Sequence, residues 1–169
     1  MKVFLFDVMS TLVYDPFYIE LPKAFGLSLP QLLEGKDRTA WVDFECGLID
    51  EHEFVERFWG KESDGLRMRN CFIQHYNYLE GIPEFLTRLR EQGHTIVTAS
   101  NYPIWYEHLD EKLDLSALVD AHFVSYRMGV RKPHAQFFQH ILNTLGVDVR
   151  SCCFVDDRKE NCDAAASFG

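Results

Sequence analysis

The sequence lacks several features that define common protein classes. It contains no apolar run near the roughly 18 residues that a membrane-spanning helix needs. Asp7 interrupts the N-terminal apolar run well before it reaches the length of a signal peptide. Glycine-rich phosphate loops of the G-x-G-x-x-G and Walker types are absent, which weakens the case for nucleotide-binding classes. These absences predict a cytoplasmic globular protein with no membrane partner.

Positive charge and paired cysteines are also scarce. Lys and Arg number 17 against 26 Asp and Glu, and the formal net charge of −9 would repel a nucleic acid or an anionic membrane. The five cysteines form no C-x-x-C pair, which argues against a zinc or redox site of that type. Cys152 and Cys153 lie in an apolar stretch, so we expect buried, reduced thiols there. The oligomeric state stays open.

The composition that remains is that of a protein with a packed core. The chain has 169 residues, 47% of them hydrophobic, which fits one domain or one domain with an insertion. Four short runs, at residues 2–6, 95–99, 122–125 and 152–155, are nearly continuous in apolar side chains, as in parallel strands covered on both faces. Helical patterns separate these runs. The alternation predicts an α/β fold built on a doubly wound parallel sheet.

Residues 15–80 break this alternation. They contain no run typical of a buried strand, and their pattern predicts helices near residues 17–25, 36–46, 50–59 and 64–78. Asp50, followed three residues later by Glu53, is typical of a helix start. We therefore predict a helical subdomain at 15–80, inserted into an α/β core formed by residues 1–14 and 81–169.

Polar side chains follow every predicted strand. In order along the chain these are Asp7, then Ser100 and Asn101, then Lys132, then Asp156 and Asp157. Because the carboxyl ends of parallel strands meet at one edge of a sheet, we expect these groups to converge. Carboxylates suit a hard cation such as Mg²⁺, while a hydroxyl and a lysine suit phosphate oxygens. The set predicts a site for a small anionic substrate.

The segments that carry these residues resemble a known family. They are Phe4-Leu5-Phe6-Asp7 with Ser10-Thr11-Leu12, Ile96-Val97-Thr98-Ala99-Ser100-Asn101, Gly129-Val130-Arg131-Lys132-Pro133, and Phe154-Val155-Asp156-Asp157-Arg158-Lys159-Glu160-Asn161. In this order they resemble motifs I to IV of the haloacid dehalogenase-like (HAD) superfamily of hydrolases. The resemblance covers nearly the whole chain, and residues 15–80 resemble the helical cap that closes over the active site and selects substrate.

The resemblance implies a role for each matched residue. Asp7 would be the nucleophile and a Mg²⁺ ligand, and would carry a phosphoaspartyl intermediate. The main-chain carbonyl of Met9 and the carboxylate of Asp157 would complete the protein ligands, with Asp156 as the other member of the acidic pair. Ser100, Asn101 and Lys132 would bind the substrate, with Ser100 holding phosphate, and Ser100 and Lys132 would also belong with Asp7 to the catalytic residues. The implied cofactor is Mg²⁺ and the implied substrate is a phosphate ester.

Met9 departs from the family pattern. Phosphatases of the family have a second Asp at this position, which protonates the leaving oxygen and later activates water, and a thioether can do neither. Three interpretations follow: a slow or unusual phosphatase, a haloacid dehalogenase, whose halide leaves without a proton, or a non-catalytic or regulatory protein on the same scaffold. The acidic pair weakens the dehalogenase interpretation, because that branch does not depend on a metal.

Some further residues are weaker candidates. Arg127, Arg131 and Arg158 could raise the potential near the site or be ordinary solvated arginines, and His134 could reach the site or have no role. Trp41 fits both a substrate contact and the core of the cap. The chain ends at Gly169, where the family usually continues into another strand. Whether it is truncated or has a smaller sheet, we expect an exposed sheet edge there.

Overall fold

A computed structural model describes residues 2–168, which contain a four-stranded parallel sheet. The strands are β1 (Val3–Phe6), β2 (Thr95–Ser100), β3 (Ala121–Val124) and β4 (Cys152–Val155), and they lie in the order β3-β2-β1-β4. β1 is therefore central, with Phe6 beside Thr98 of β2 and Val155 of β4. The predicted α/β fold with a parallel sheet is confirmed.

Helices fill the segments between the strands. In chain order they are α1 (Glu20–Phe25), α2 (Leu29–Leu33), α3 (Arg38–Glu45), α4 (Glu51–Phe58), α5 (Glu62–His75), α6 (Ile82–Glu91), α7 (Tyr106–Leu113), α8 (Ser125–Met128), α9 (Ala135–Leu145) and α10 (Lys159–Ala166). The first five lie between β1 and α6 in the chain. None of the helices within residues 2–168 is long and apolar enough to cross a membrane.

Two local elements differ from the sequence predictions. The five-residue helix α2 is too short to show an apolar period, and its start is set instead by Ser28, whose N–H donates to Gln31 Oε1 at 2.9 Å. Ser125, predicted to end the third strand, begins α8 instead. Its buried hydroxyl donates to the Glu45 carbonyl and accepts from the Tyr102 N–H, so it ties α3 to the loop after β2.

The two faces of the sheet pack into two hydrophobic clusters. Val3, Leu5 and Val97 face α9, where they meet Phe137 and Ile141. The opposite face belongs to a larger cluster that continues into α1–α5. There the buried Trp105 ring lies among the rings of Trp41, Phe44, Phe54 and Phe72, with centroids 5.3–6.0 Å away. This shared aromatic core holds the inserted helices against the sheet.

Strand β4 lies at the sheet edge, and this corrects one prediction. Cys153 is exposed and Cys152 is only half-buried, so the expected pair of buried thiols is wrong. Both are free thiols. The physical reason is that β4 pairs with β1 on one side only, so alternate side chains such as Cys153 and Val155 remain accessible although the run is apolar.

Candidate active site

The paired strands β1 and β4 bring three carboxylates together. Asp7 directly follows β1, and its N–H donates to the Val155 carbonyl of β4 at 2.9 Å. Asp156 and Asp157 directly follow β4. One oxygen from each of the three carboxylates lies within 4.8 Å of the others. The register of the sheet therefore produces the acidic group that the sequence places at two distant points of the chain.

Lys132 enters this group from the loop after α8. Its side chain is 1% exposed, and its Nζ lies 2.7 Å from Asp7 Oδ1 and 2.6 Å from Asp156 Oδ2. Asn101 fixes the lysine by its backbone: the Asn101 amide donates to the Lys132 carbonyl at 3.0 Å and accepts from the Lys132 N–H at 2.8 Å. Asn101, predicted to bind substrate, lines the cavity. Its side-chain amide, however, forms hydrogen bonds to the backbone of Lys132.

The two members of the acidic pair differ in environment. The Asp156 side chain is fully buried and accepts from Lys132 Nζ, from Asn161 Nδ2 at 3.0 and 3.1 Å, and from the Arg158 N–H at 2.9 Å. Asp157 is exposed. Asp156 is thus held by the protein, whereas Asp157 has oxygens available to a ligand from outside.

The loop after β1 shapes the floor of the site. The N–H groups of Leu12 and Val13 donate to the Val8 carbonyl, and Ser10 adopts a φ of +63° to allow the turn. Thr11 Oγ1 lies 3.4 Å from Asp7 Oδ2. The loop places Met9 in the wall of the cavity, where its side chain offers no proton. Ser100 ends β2 and is 1% exposed, and it is not among the residues that line the cavity.

The cavity above the carboxylates encloses about 270 Å³. Its walls combine cationic and aromatic groups. The cationic side chains are Arg131, Lys132 and Arg158, and the aromatic ones are Phe17, Tyr18, Trp41, Phe72 and Tyr102. Trp41 therefore meets both expectations, since it lines the cavity and packs in the core of the helical insertion. Of the weaker candidates, Arg127 pairs with Glu107 outside the cavity and His134 is exposed at the start of α9.

The buried environment of Asp7 disfavours its ionised form. Burial, helped by the charges of Asp156 and Asp157, raises the pKa of Asp7 to about 6, although Lys132 opposes the shift. One lysine thus faces three carboxylates. In addition, Asn161 Oδ1 is buried with no hydrogen-bond partner among the described residues. The oxygen-rich donor set and its excess negative charge fit a hard divalent cation.

A carboxylate from the insertion also reaches the cavity, and it was not predicted from the sequence. Glu45, at the end of α3, accepts from Trp41 Nε1 at 2.5 Å through Oε1, and its Oε2 lies 3.2 Å from Arg131 Nη1. The Oε2–Nη1 contact lacks hydrogen-bond alignment, so Glu45 Oε2 and Arg131 Nε are both buried without a hydrogen-bond partner among the described residues. The available signal was a carboxylate on the buried face of α3, beside Ala40 and Phe44.

Asp15 is a second missed carboxylate in the cavity wall. It lies in the segment that leads from the first loop to α1, and its Oδ1 accepts from the Phe17 N–H at 2.9 Å. Burial raises the pKa of Asp15, with Arg158 opposing the shift. No strand directly precedes this residue, so the expectation that functional groups follow strands does not reveal it.

The fold and this site define a class: an α/β protein with helices inserted after its first strand, and with a buried aspartate, a buried lysine and an acidic pair at the carboxyl ends of its parallel strands. Residues 1–169 match the haloacid dehalogenase-like hydrolase family. The chain belongs to this family, which confirms the resemblance seen in the motifs and the assignment as a hydrolase.

Relatives with known activities or structures agree with this assignment. The chain is 40% identical over 171 residues to flavin mononucleotide hydrolase 1, a chloroplast protein of Arabidopsis thaliana, covering 100% of this chain and 70% of that protein. A HAD family enzyme of Bacteroides thetaiotaomicron, solved with magnesium and inorganic phosphate, has a TM-score of 0.82 at 19% identity, covering 100% of this chain and 91% of that one.

The haloacid dehalogenase branch has the same fold. L-2-haloacid dehalogenase from Xanthobacter autotrophicus, solved with chloropropionic acid covalently bound, has a TM-score of 0.73 at 19% identity. The alignment covers 100% of this chain and 75% of that one. At such identities these two structures show a shared fold, and the choice of chemistry has to be argued from the site.

Proposed function

We propose that this hydrolase cleaves a small phosphate monoester by attack of Asp7 on phosphorus, with Mg²⁺ as cofactor. The observation that carries the proposal is the buried Asp7 carboxylate, held by Lys132 at 2.7 Å and grouped with Asp157. A nucleophilic carboxylate, a cation-binding acidic pair and a buried ammonium are the groups that phosphoryl transfer requires.

The residues present fit the proposed Mg²⁺. Asp7, Asp157 and the main-chain carbonyl of Met9 would hold the ion, and Asp156 would keep Lys132 and Asn161 in place beside it. Bound Mg²⁺ would supply positive charge that polarises the phosphoryl group. It would also counteract the rise in the pKa of Asp7, which burial and the neighbouring carboxylates cause, because a nearby cation favours the carboxylate form.

The chain's own side chains account for the first half of the reaction. Lys132 holds Asp7 Oδ1, which leaves Oδ2 to form the bond to phosphorus while the bond to the leaving oxygen breaks. Water then cleaves the phosphoaspartyl group on Asp7. The leaving oxygen needs a proton that Met9 does not supply, so we expect turnover of unactivated esters to be about 10²- to 10⁴-fold below that of a comparable enzyme with the acid.

Flavin mononucleotide (FMN) is the first substrate to test. The 40% identical relative is named for hydrolysis of FMN, and the aromatic cavity wall suits a substrate with a flat ring system. The cavity of about 270 Å³ lies just below the roughly 300–1,000 Å³ typical of larger ligands. We therefore expect the phosphate end to lie inside and the inserted helices to shift to admit the ring.

The test is a hydrolysis assay with FMN, p-nitrophenyl phosphate and 2-chloropropionate, each with and without Mg²⁺. Wild type, Asp7→Asn and the control Asp163→Asn are compared, since Asp163 forms only a surface pair with Lys159. We expect Mg²⁺-dependent phosphate release that Asp7→Asn abolishes and the control retains. Chloride release without Mg²⁺ would favour the dehalogenase alternative, and no turnover of any substrate would favour a non-catalytic protein. The cytoplasmic location stays a prediction.

A further inference from the structure

We infer that Glu45 and Arg131 together bind a hydroxyl group of the substrate, so that the preferred substrates are phosphate esters of hydroxylated alcohols. The inference rests on the proposed phosphatase function and specifies its substrate class. It assigns a specificity-determining role to two residues that the phosphoryl-transfer machinery does not use.

One hydrogen-bond acceptor of Glu45 and one donor of Arg131 lie close together, and neither has a hydrogen-bond partner among the described residues. Glu45 Oε1 is already used by Trp41 Nε1, while Oε2 is buried without a hydrogen bond among the described residues. Arg131 Nε is also buried without a hydrogen bond among the described residues. Nη1 of the same guanidinium lies 3.2 Å from Glu45 Oε2. Because Nε and Nη1 belong to one guanidinium, the unmet donor and the unmet acceptor are neighbours.

A hydroxyl is the simplest group that satisfies both atoms. Its oxygen can accept from Arg131 Nε–H while its proton is donated to Glu45 Oε2. A second anionic group on the substrate would be repelled by Glu45, and an ammonium would be repelled by Arg131. A methyl group would leave both buried polar atoms without partners, which is costly in a site shielded from water.

The pair is positioned near the phosphate end of the substrate. Arg131 directly precedes Lys132, whose Nζ contacts Asp7. The Glu45 backbone is held from the other side by Ser125 Oγ at 2.5 Å. Both side chains line the same cavity as Asp7. The hydroxyl is therefore expected on the carbon chain next to the phosphate, a requirement that FMN meets through its ribityl hydroxyls.

The test compares two esters that differ in their hydroxyls: glycerol 3-phosphate and n-propyl phosphate. We expect wild type to show a kcat/KM at least about tenfold higher for glycerol 3-phosphate, as a hydrogen bond to a charged group provides. In Glu45→Gln the KM for glycerol 3-phosphate should rise about tenfold, while n-propyl and p-nitrophenyl phosphate are unaffected. The control Asp43→Asn changes a carboxylate on the same helix that pairs with Arg57 at 2.9 Å, and should retain the preference.

Binding provides a readout that does not need turnover. Calorimetry on Asp7→Asn with Mg²⁺ should give a Kd for glycerol 3-phosphate about tenfold below that for n-propyl phosphate, and adding Glu45→Gln should remove the difference. Equal constants for the two esters, or a preference that survives Glu45→Gln, would overturn the inference. So would an equal fall in kcat on both esters, because Glu45 would then act on the leaving group. Loss of all Asp7-dependent turnover with the binding preference intact would instead refute the proposed function.

Discussion

The buried Asp7 carboxylate should make the metal-free protein less stable as the pH rises. Its folded-state pKa of about 6 lies above the ordinary 3.8, because burial and two neighbouring carboxylates outweigh Lys132. A group whose pKa is raised in the folded state binds its proton more tightly there than in the unfolded chain. Below pH 3.8, Asp7 therefore does not lower the free energy of unfolding. The loss in this free energy grows as the pH rises towards 6 and stays constant above it.

The size of the penalty follows from the two pKa values. A pKa that moves from 3.8 to about 6 corresponds to about 3 kcal/mol in the free energy of unfolding. Asp7 is only 7% exposed, so solvent screening reduces this value little. Against a total stability of about 5–15 kcal/mol for a domain, the effect of this one carboxylate is large enough to measure.

The assay is urea unfolding at pH 4.5 to 7.5 in EDTA, for wild type and Asp7→Asn in parallel. The difference between them removes the titration of all other groups. We expect Asp7→Asn to gain stability relative to wild type as the pH rises, by about 2 kcal/mol across this range. Saturating Mg²⁺ should restore wild type at pH 7.5 by a similar amount. A difference that does not change with pH would refute a raised pKa at Asp7.

Three further changes test other parts of the molecule. Met9→Asp should raise kcat/KM for FMN, which reports formation of the phosphoaspartyl group, about 10²-fold or more, and leave kcat/KM for p-nitrophenyl phosphate, whose leaving group needs no acid, nearly unchanged; equal gains in kcat/KM on both substrates would contradict this. Gly47→Ala should lower both Tm and kcat/KM, because Gly47 has a φ of +63° and an added Cβ would collide with the Tyr126 carbonyl oxygen. Gly26→Ala is the control, since Gly26 has a similar φ but its added Cβ would meet open space. It should lower only Tm, by an amount that corresponds to about 1 kcal/mol in the free energy of unfolding. Lys132→Met should lower the free energy of unfolding in urea by about 3–5 kcal/mol, because it leaves the buried carboxylates of Asp7 and Asp156 without their cationic partner. A variant as stable as wild type would contradict this structural role of Lys132.

Much of the fold was predictable because the sheet is buried on both faces over its centre. β1 and β2 are continuous apolar runs, and the structure begins and ends them within one residue of the predicted limits. Prediction failed where tertiary context decides. Cys153 is as apolar as its neighbours, yet its exposure depends on β4 having a partner on one side only. Ser125 follows a strand pattern, yet it begins a helix and binds the Glu45 carbonyl and the Tyr102 N–H.

The candidate site divides in the same way. Asp7, Lys132 and Asp156 could be placed together from sequence, because a parallel sheet brings the ends of its strands to one edge. Glu45 could not be assigned to the site from sequence, because its position depends on how α3 packs against the core. A buried carboxylate at the end of an amphipathic helix is a local anomaly, but its partner, Arg131, lies 86 positions away in the chain and is brought near only by the packing of the insertion.

If the protein hydrolyses a phosphate ester as proposed, a strongly acidic chain has to bind an anion, and the charge around the cavity indicates how. The titratable side chains that line it are the acidic Asp7, Asp15, Glu45, Asp156 and Asp157 and the basic Arg131, Lys132 and Arg158. Acidic groups are in excess, so a phosphate ester entering alone meets net repulsion. A divalent cation held by the carboxylates would cancel that excess locally, while the chain as a whole keeps its charge of −9. The acidic excess that disfavours polyanionic partners would thus, at this one site, make the binding of a small phosphorylated substrate depend on the metal.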